Sequence, residues 1–139
     1  MPDVEYRTDT PVTTAQFTAL LNASSLGERR PVDDPDCIAG MLDNADLTVS
    51  AWAGGRLVGV ARSVTDFHYA CYLSDLAVDR AWQGRGIGRR LLALTRDGLG
   101  PRCRVFLIAA PGADSYYEHI GLTRQPRCWV LTRDDALSS

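Results

Sequence analysis

The run LAVDRAWQGRGIGRRLL, from Leu76 to Leu92, joins an apolar, strand-like segment to a helix-like one through a turn with glycine at alternate positions. Such a junction demands an α/β arrangement, because the strand must lie in a sheet and the helix must pack back onto it. Gly84, Gly86 and Gly88 present backbone N–H groups with no side chain in the way. A helix start adds unpaired first-turn amides and the positive end of the helix dipole, so the turn suits a phosphate-type anion, with pyrophosphate as its natural guest. Arg85, Arg89 and Arg90 supply local positive charge. The alternative is a tight turn that binds nothing. Two nucleotide motifs are excluded: the P-loop requires Lys and a hydroxyl where this chain has Arg89 and Arg90, and the dinucleotide fingerprint requires a third glycine at Arg89.

The flanking sequence extends this arrangement. TTAQFTALLNASSL places Ala15, Phe17, Leu20 and Leu21 near helical spacing with Thr13 or Thr14 as the cap, and DDPDCIAGMLDNA places Ile38, Met41 and Leu42 on one face of a short second helix. Between them, GERRPVDDPD (Gly27 to Asp36) reads as a charged surface loop. LTVSAWA and RLVGVARSV flank Gly54-Gly55 as a hairpin. HYACYLSDLAV is a further strand, and a helix from about Gly88 carries Leu91, Leu92 and Leu94 toward the core before Gly98 or Gly100 ends it. CRVFLIAA reads as a strand covered on both faces, ADSYYEHIGL as a short helix closed by Gly121, and CWVLTR as a last strand. The order β-α-α-β-β-β-α-β-α-β predicts an α/β chain, α+β in some schemes, with a mixed sheet and helices on its faces.

The 139 residues, 45% hydrophobic, suit a single domain spanning 1–139. A formal charge of −2 gives no global field to attract nucleic acid or an anionic membrane. Cys37, Cys71, Cys103 and Cys128 are scattered without a CxxC pair and only His68 and His119 accompany them, so no metal site is expected and the thiols fit a reduced, cytoplasmic setting. The N-terminus has no apolar leader core, and no run approaches the roughly 18 apolar residues of a membrane span.

LAVDRAWQGRGIGRRLL resembles the acetyl-CoA-binding motif of the GNAT superfamily of N-acetyltransferases: Gln83, Gly86 and Gly88 meet the signature Gln/Arg-x-x-Gly-x-Gly/Ala. SYYEHIGL is similar to the second family marker, in which a tyrosine, here Tyr117, precedes a glycine, Gly121, by four residues. The resemblance implies a GNAT fold whose mostly antiparallel sheet splays between its fourth and fifth strands, and transfer of an acetyl group to a primary amine by direct attack in a ternary complex. It implies that the pantetheine arm pairs with Leu76, Ala77 and Val78. It also implies that the pyrophosphate meets the amides of Gly84, Arg85, Gly86, Ile87, Gly88 and Arg89, that Gln83 is a further cofactor-binding residue, and that Tyr117 protonates the departing thiolate. Without the motif, Tyr117 would read as a packed helix residue, with Tyr116 and His119 as neighbours.

Asp75 interrupts an apolar strand, and a buried carboxylate is costly unless something pairs with it. It either holds a substrate ammonium or accepts its proton through water, or else it partners an arginine such as Arg62. Asp66, Tyr72 and Ser74 are further candidates on the acceptor side, and Trp52, Phe67, Tyr69 and Trp82 either stack on a substrate or belong to the core. An acidic lining would suit a small-molecule or peptide amine equally. Two departures from the family stand out: Ala110 occupies the place of a frequent asparagine, and the closing strand region is short, leaving an edge that a second subunit could complete in a homodimer. The competing functional class is a non-catalytic acyl-CoA-binding or sensing module.

Overall fold

The computed structural model describes residues 3–139, which fall into two compact units, one running to Ile108 and the other from Ala109 to Ser139. The first unit contains β1 (Val4–Thr8), α1 (Thr14–Ala23), α2 (Pro35–Asp43), β2 (Leu47–Ala53), β3 (Arg56–Thr65), β4 (Ala70–Val78), α3 (Ile87–Asp97) and β5 (Arg104–Phe106). The strands form one sheet in the order β1-β2-β3-β4-β5, antiparallel except for the parallel β4–β5 pair. Gly54 and Gly55 both take positive φ, as a two-residue hairpin turn requires.

Local chemistry explains the helices. Thr13 and Gln16 form a reciprocal capping box at the start of α1: the Gln16 amide donates to Thr13 Oγ1 at 3.1 Å and the Thr13 amide to Gln16 Oε1 at 2.9 Å. Phe17, Leu20 and Leu21, at i, i+3 and i+4, are buried. Ala15 lies roughly 200° around the helix from Phe17 and is exposed, against expectation. Asp34 caps α2, accepting from the Cys37 amide at 3.1 Å, and Pro35 occupies its first turn, where a missing N–H costs nothing.

The sheet has a core on each face. Phe17, Leu20, Leu21 and Ile38 pack with Trp52, Leu57, Val60 and Ala77 on the α1–α2 face. Ile87 and Leu91 pack with Val49, Val58, Ala61 and Leu73 on the α3 face. Leu92 and Leu94 are only partly buried, because the buried stripe of α3 runs Ile87, Leu91, Thr95. Gly59 lets this helix approach closely: a Cβ there would stand 3.1 Å from both Ile87 Cγ2 and Leu91 Cδ1.

Two expectations about the strands are corrected. CRVFLIAA forms a strand only at Arg104–Phe106, and it is not covered on both faces, with Phe106 40% and Ile108 55% exposed. The strand stands at the sheet edge and pairs with β4 only at Ala70–Arg104, Cys71–Val105 and Tyr72–Phe106. Past Tyr72, the β5-facing edge of β4 has no strand partner among the described residues, which is the splay that the family resemblance implied. In the second unit CWVLTR forms no strand. Strand conformation is stabilised by a neighbour's ladder, and here the Cys128 amide turns back onto Gln125 O at 3.3 Å and the Thr132 amide donates to Asp135 Oδ2 at 2.9 Å.

The second unit contains α4 (Asp114–His119). It ends in a paired C-cap: the Gly121 amide donates to Glu118 O at 3.2 Å and the Leu122 amide to Tyr117 O at 2.9 Å. That closure needs a left-handed residue at position 121, and Gly121 has φ +107°. The four-residue spacing of Tyr117 and Gly121 is thus the geometry of a helix end.

Candidate active site

The turn after β4 is anchored by Asp79, which is buried. Its amide donates to Val58 O at 2.9 Å, its Oδ1 accepts from the Ala81 amide at 2.9 Å and its Oδ2 accepts from Arg56 at 2.9 Å. A single 3₁₀ turn, Arg80–Trp82, then buries Trp82 against the α3 core, with the Arg85 guanidinium 4.8 Å from its ring centroid. Gln83 Nε2 donates to Val78 O at 3.0 Å, tying the glycine turn back to the end of the strand.

Gly84 and Gly86 both have φ +78°, and a Cβ on either would meet nothing within 4 Å. The glycines therefore serve the backbone conformation and leave open space over the turn. Gly86 is the N-cap of α3 and no side chain caps that end; the first intrahelical bond is from the Arg90 amide to Gly86 O at 3.0 Å. The amides of Ile87, Gly88 and Arg89 are thus the first-turn donors. Ile87 is buried by its side chain, so only its backbone can serve a ligand. Leu76, Ala77 and Val78 lie along the open stretch of β4, with Ala77 buried and Leu76 and Val78 half-buried. An open strand edge leading to an uncapped helix start fits an extended chain that ends in a pyrophosphate.

Asp75 lies one residue from that edge and is 0% exposed. Its Oδ2 pairs with Arg62 Nε, and its Oδ1 accepts from Arg30 Nε at 2.5 Å. The Arg62 pairing is one of the alternatives left open by the sequence, and Arg30 joins it from the charged loop. A β-bulge explains the convergence: Arg62 opposes Asp75 while Ser63 opposes Leu73, so Ser74 is the extra residue. Its carbonyl accepts from Arg30 Nη2 at 2.7 Å and its hydroxyl from Arg62 Nη2 at 2.9 Å. Arg62 Nη1 donates to Met41 O at 3.1 Å, binding α2 to the same cluster.

Arg30 was missed by motif spacing. The one available signal was chemical: a carboxylate in an apolar strand needs more than one donor, which points to arginines beyond Arg62, those of GERR among them. Among the other candidates, Asp66 holds a turn, its Oδ1 accepting from the His68, Tyr69 and Ala70 amides at 3.0, 2.8 and 3.1 Å. These bonds hold its carboxyl below the usual range. Trp52 and Trp82 belong to the core, whereas Phe67, Tyr69 and Tyr72 are exposed. In the second unit Tyr117 packs edge-on against Tyr116, with ring centroids 5.3 Å apart, and burial pushes its phenol upward, with a smaller push from Tyr116. Ala110 accepts from the Ala113 amide at 2.9 Å in the turn before α4.

Residues 28–127 match the acetyltransferase (GNAT) domain family. The chain belongs to the GNAT acetyltransferase family. An uncharacterized N-acetyltransferase ycf52-like protein of Prochlorococcus marinus is 32% identical over 105 residues, covering 71% of this chain. The chain spans 57% of the length of that curated relative. A GNAT family acetyltransferase from Streptococcus pneumoniae shares the fold, at TM-score 0.75 and 18% identity, over 95% of this chain and all of the other. So does the aminoglycoside N-acetyltransferase AAC(6')-Iy, solved with CoA, at TM-score 0.72 and 18% identity over 97% of each chain. In this GNAT chain no helix among the described residues is long and apolar enough to cross a membrane.

Proposed function

We propose that this GNAT protein is an acetyl-CoA-dependent N-acetyltransferase acting on a primary amine in a ternary complex. The observation that carries the reading is the uncapped, glycine-lined start of α3 at the end of a strand whose edge is open. Acetyl-CoA would supply the acetyl group: the amine nitrogen bonds to its carbonyl carbon as the C–S bond breaks, the nitrogen's proton passes to solvent water, and the sulfur departs as thiolate.

Each residue then has a physical task. Leu76, Ala77 and Val78 offer main-chain hydrogen bonds to the pantetheine amides, and the amides from Gly84 to Arg89 meet the pyrophosphate. Gln83 holds the turn in place through Val78. Arg85 and Arg89 contribute positive charge. Tyr117 is assigned the proton for the thiolate on its motif spacing. Its phenol carries a proton at neutral pH, as a donor must, and burial, which raises its pKa, makes it the weaker acid. Asp75 is assigned a positioning role: with both oxygens on guanidinium groups, it fixes the strand and its bulge beside the open edge.

Calorimetric titration with acetyl-CoA tests the reading, with 3′-dephospho-CoA and NADH as comparison ligands. Micromolar acetyl-CoA binding with thiol release in the presence of an amine is expected. Binding without turnover of any amine would favour the acyl-CoA-binding module, and no binding would overturn both.

A further inference from the structure

The sheet face that carries α1 and α2 is not covered along its whole length. Val64 opposes Tyr72, and Tyr72 opposes Phe106, so these three residues form one cross-strand row. They are 48%, 42% and 40% exposed. Val64 lies two residues along β3 from Arg62, a strand distance of about 7 Å, and so on the same face. The row therefore ends where the β4–β5 gap opens, beside the cluster of Arg30, Arg62, Asp75 and Ser74.

That cluster is cationic. Asp75 supplies one negative charge against two guanidinium groups, which leaves one net positive charge at the site. Arg62 is 6% exposed by side chain, while Arg30 is 21% exposed and forms the face toward solvent. Arg30 has five N–H donors; Asp75, the Arg29 carbonyl and the Ser74 carbonyl engage three of them, leaving two. A polycationic acceptor would meet net repulsion from this cluster, whose one carboxylate, Asp75, is taken up by the two guanidinium groups.

We propose that the acceptor is an amphiphilic primary amine carrying a carboxylate close to the amine and an apolar side chain, as in an apolar α-amino acid. Its carboxylate sits on the free N–H groups of Arg30, its side chain on the Val64–Tyr72–Phe106 row, and its amine faces the gap between β4 and β5. The proposal rests on the acetyltransferase reading above and adds Arg30 to it as a specificity-determining residue.

The test compares L-phenylalanine, L-phenylalaninamide and phenethylamine, with spermidine and kanamycin as polycations, by thiol release from acetyl-CoA. L-Phenylalanine should be favoured in kcat/KM over its amide and over phenethylamine by about tenfold or more, although the amide is the less basic amine. In Arg30→Gln the acid-to-amide ratio of kcat/KM should fall toward one, whatever the loss of overall rate, and Arg30→Lys should restore part of the ratio. The proposal is overturned if the polycations or the amide match the acid in the unaltered protein, whatever the folding of the variants. It is also overturned if acetyl-CoA binds calorimetrically and none of the carboxylated amines reacts. Absence of acetyl-CoA binding would instead remove the acetyltransferase reading, and this proposal with it.

Discussion

Arg30 and Asp75 meet at 2.5 Å across 45 positions of sequence, a charged loop residue reaching a carboxylate that solvent does not touch. The contact joins the segment between α1 and α2 to the bulge of β4. A buried ion pair need not add net stability over an apolar replacement, yet removing one partner leaves the others uncompensated.

Asp75→Ala should therefore cost about 3–5 kcal/mol of stability, read from denaturant unfolding. Combining it with Arg62→Met should recover part of that loss, since the double variant no longer buries an unpaired guanidinium. Additive losses in the double-mutant cycle would show that the two side chains do not act as a unit.

Gly86→Val should weaken acetyl-CoA binding by about tenfold or more, because a β-branched residue at φ +78° is strained and its side chain enters the space over the turn. Calorimetry checks the affinity. Thermal unfolding of the same preparation should show a folded protein, as the residue is exposed.

Tyr117→Phe should lower kcat by about ten- to a hundredfold and leave the acetyl-CoA dissociation constant unchanged, the pattern of a group needed only in the transition state. Burial raises the Tyr117 phenol above its ordinary value of 10.0 in the folded chain. Its contribution to stability is thus complete below the unfolded-state value and is lost as pH rises from there through the folded-state value. Spectrophotometric titration should find a late-ionising tyrosine that disappears in the variant.

Ser63→Ala should raise stability by about 1 kcal/mol. Among the described residues the Ser63 hydroxyl is the buried side-chain polar atom with no hydrogen-bond partner, so its removal ends a desolvation cost at little loss of volume. The midpoint of urea unfolding should move upward with an unchanged slope.

What the sequence determined by itself was everything set by local spacing. The capping box of Thr13 and Gln16, the Gly54-Gly55 hairpin, the turn from Asp79 to Gly88 and the closure of α4 by Gly121 all arise from residues within a few positions of one another. Each uses a conformation that few residue types supply. Tertiary structure alone decided which strands found partners and which charges met. β5 is short and exposed because it occupies an edge, and CWVLTR forms no strand because its amides close local turns. The pairing of Asp75 was fixed in the same way. Its carboxylate was legible as a problem, but its solution came from Arg62 across the ladder and Arg30 from a distant loop. Chain topology and a one-residue bulge bring these together, and no periodicity encodes them.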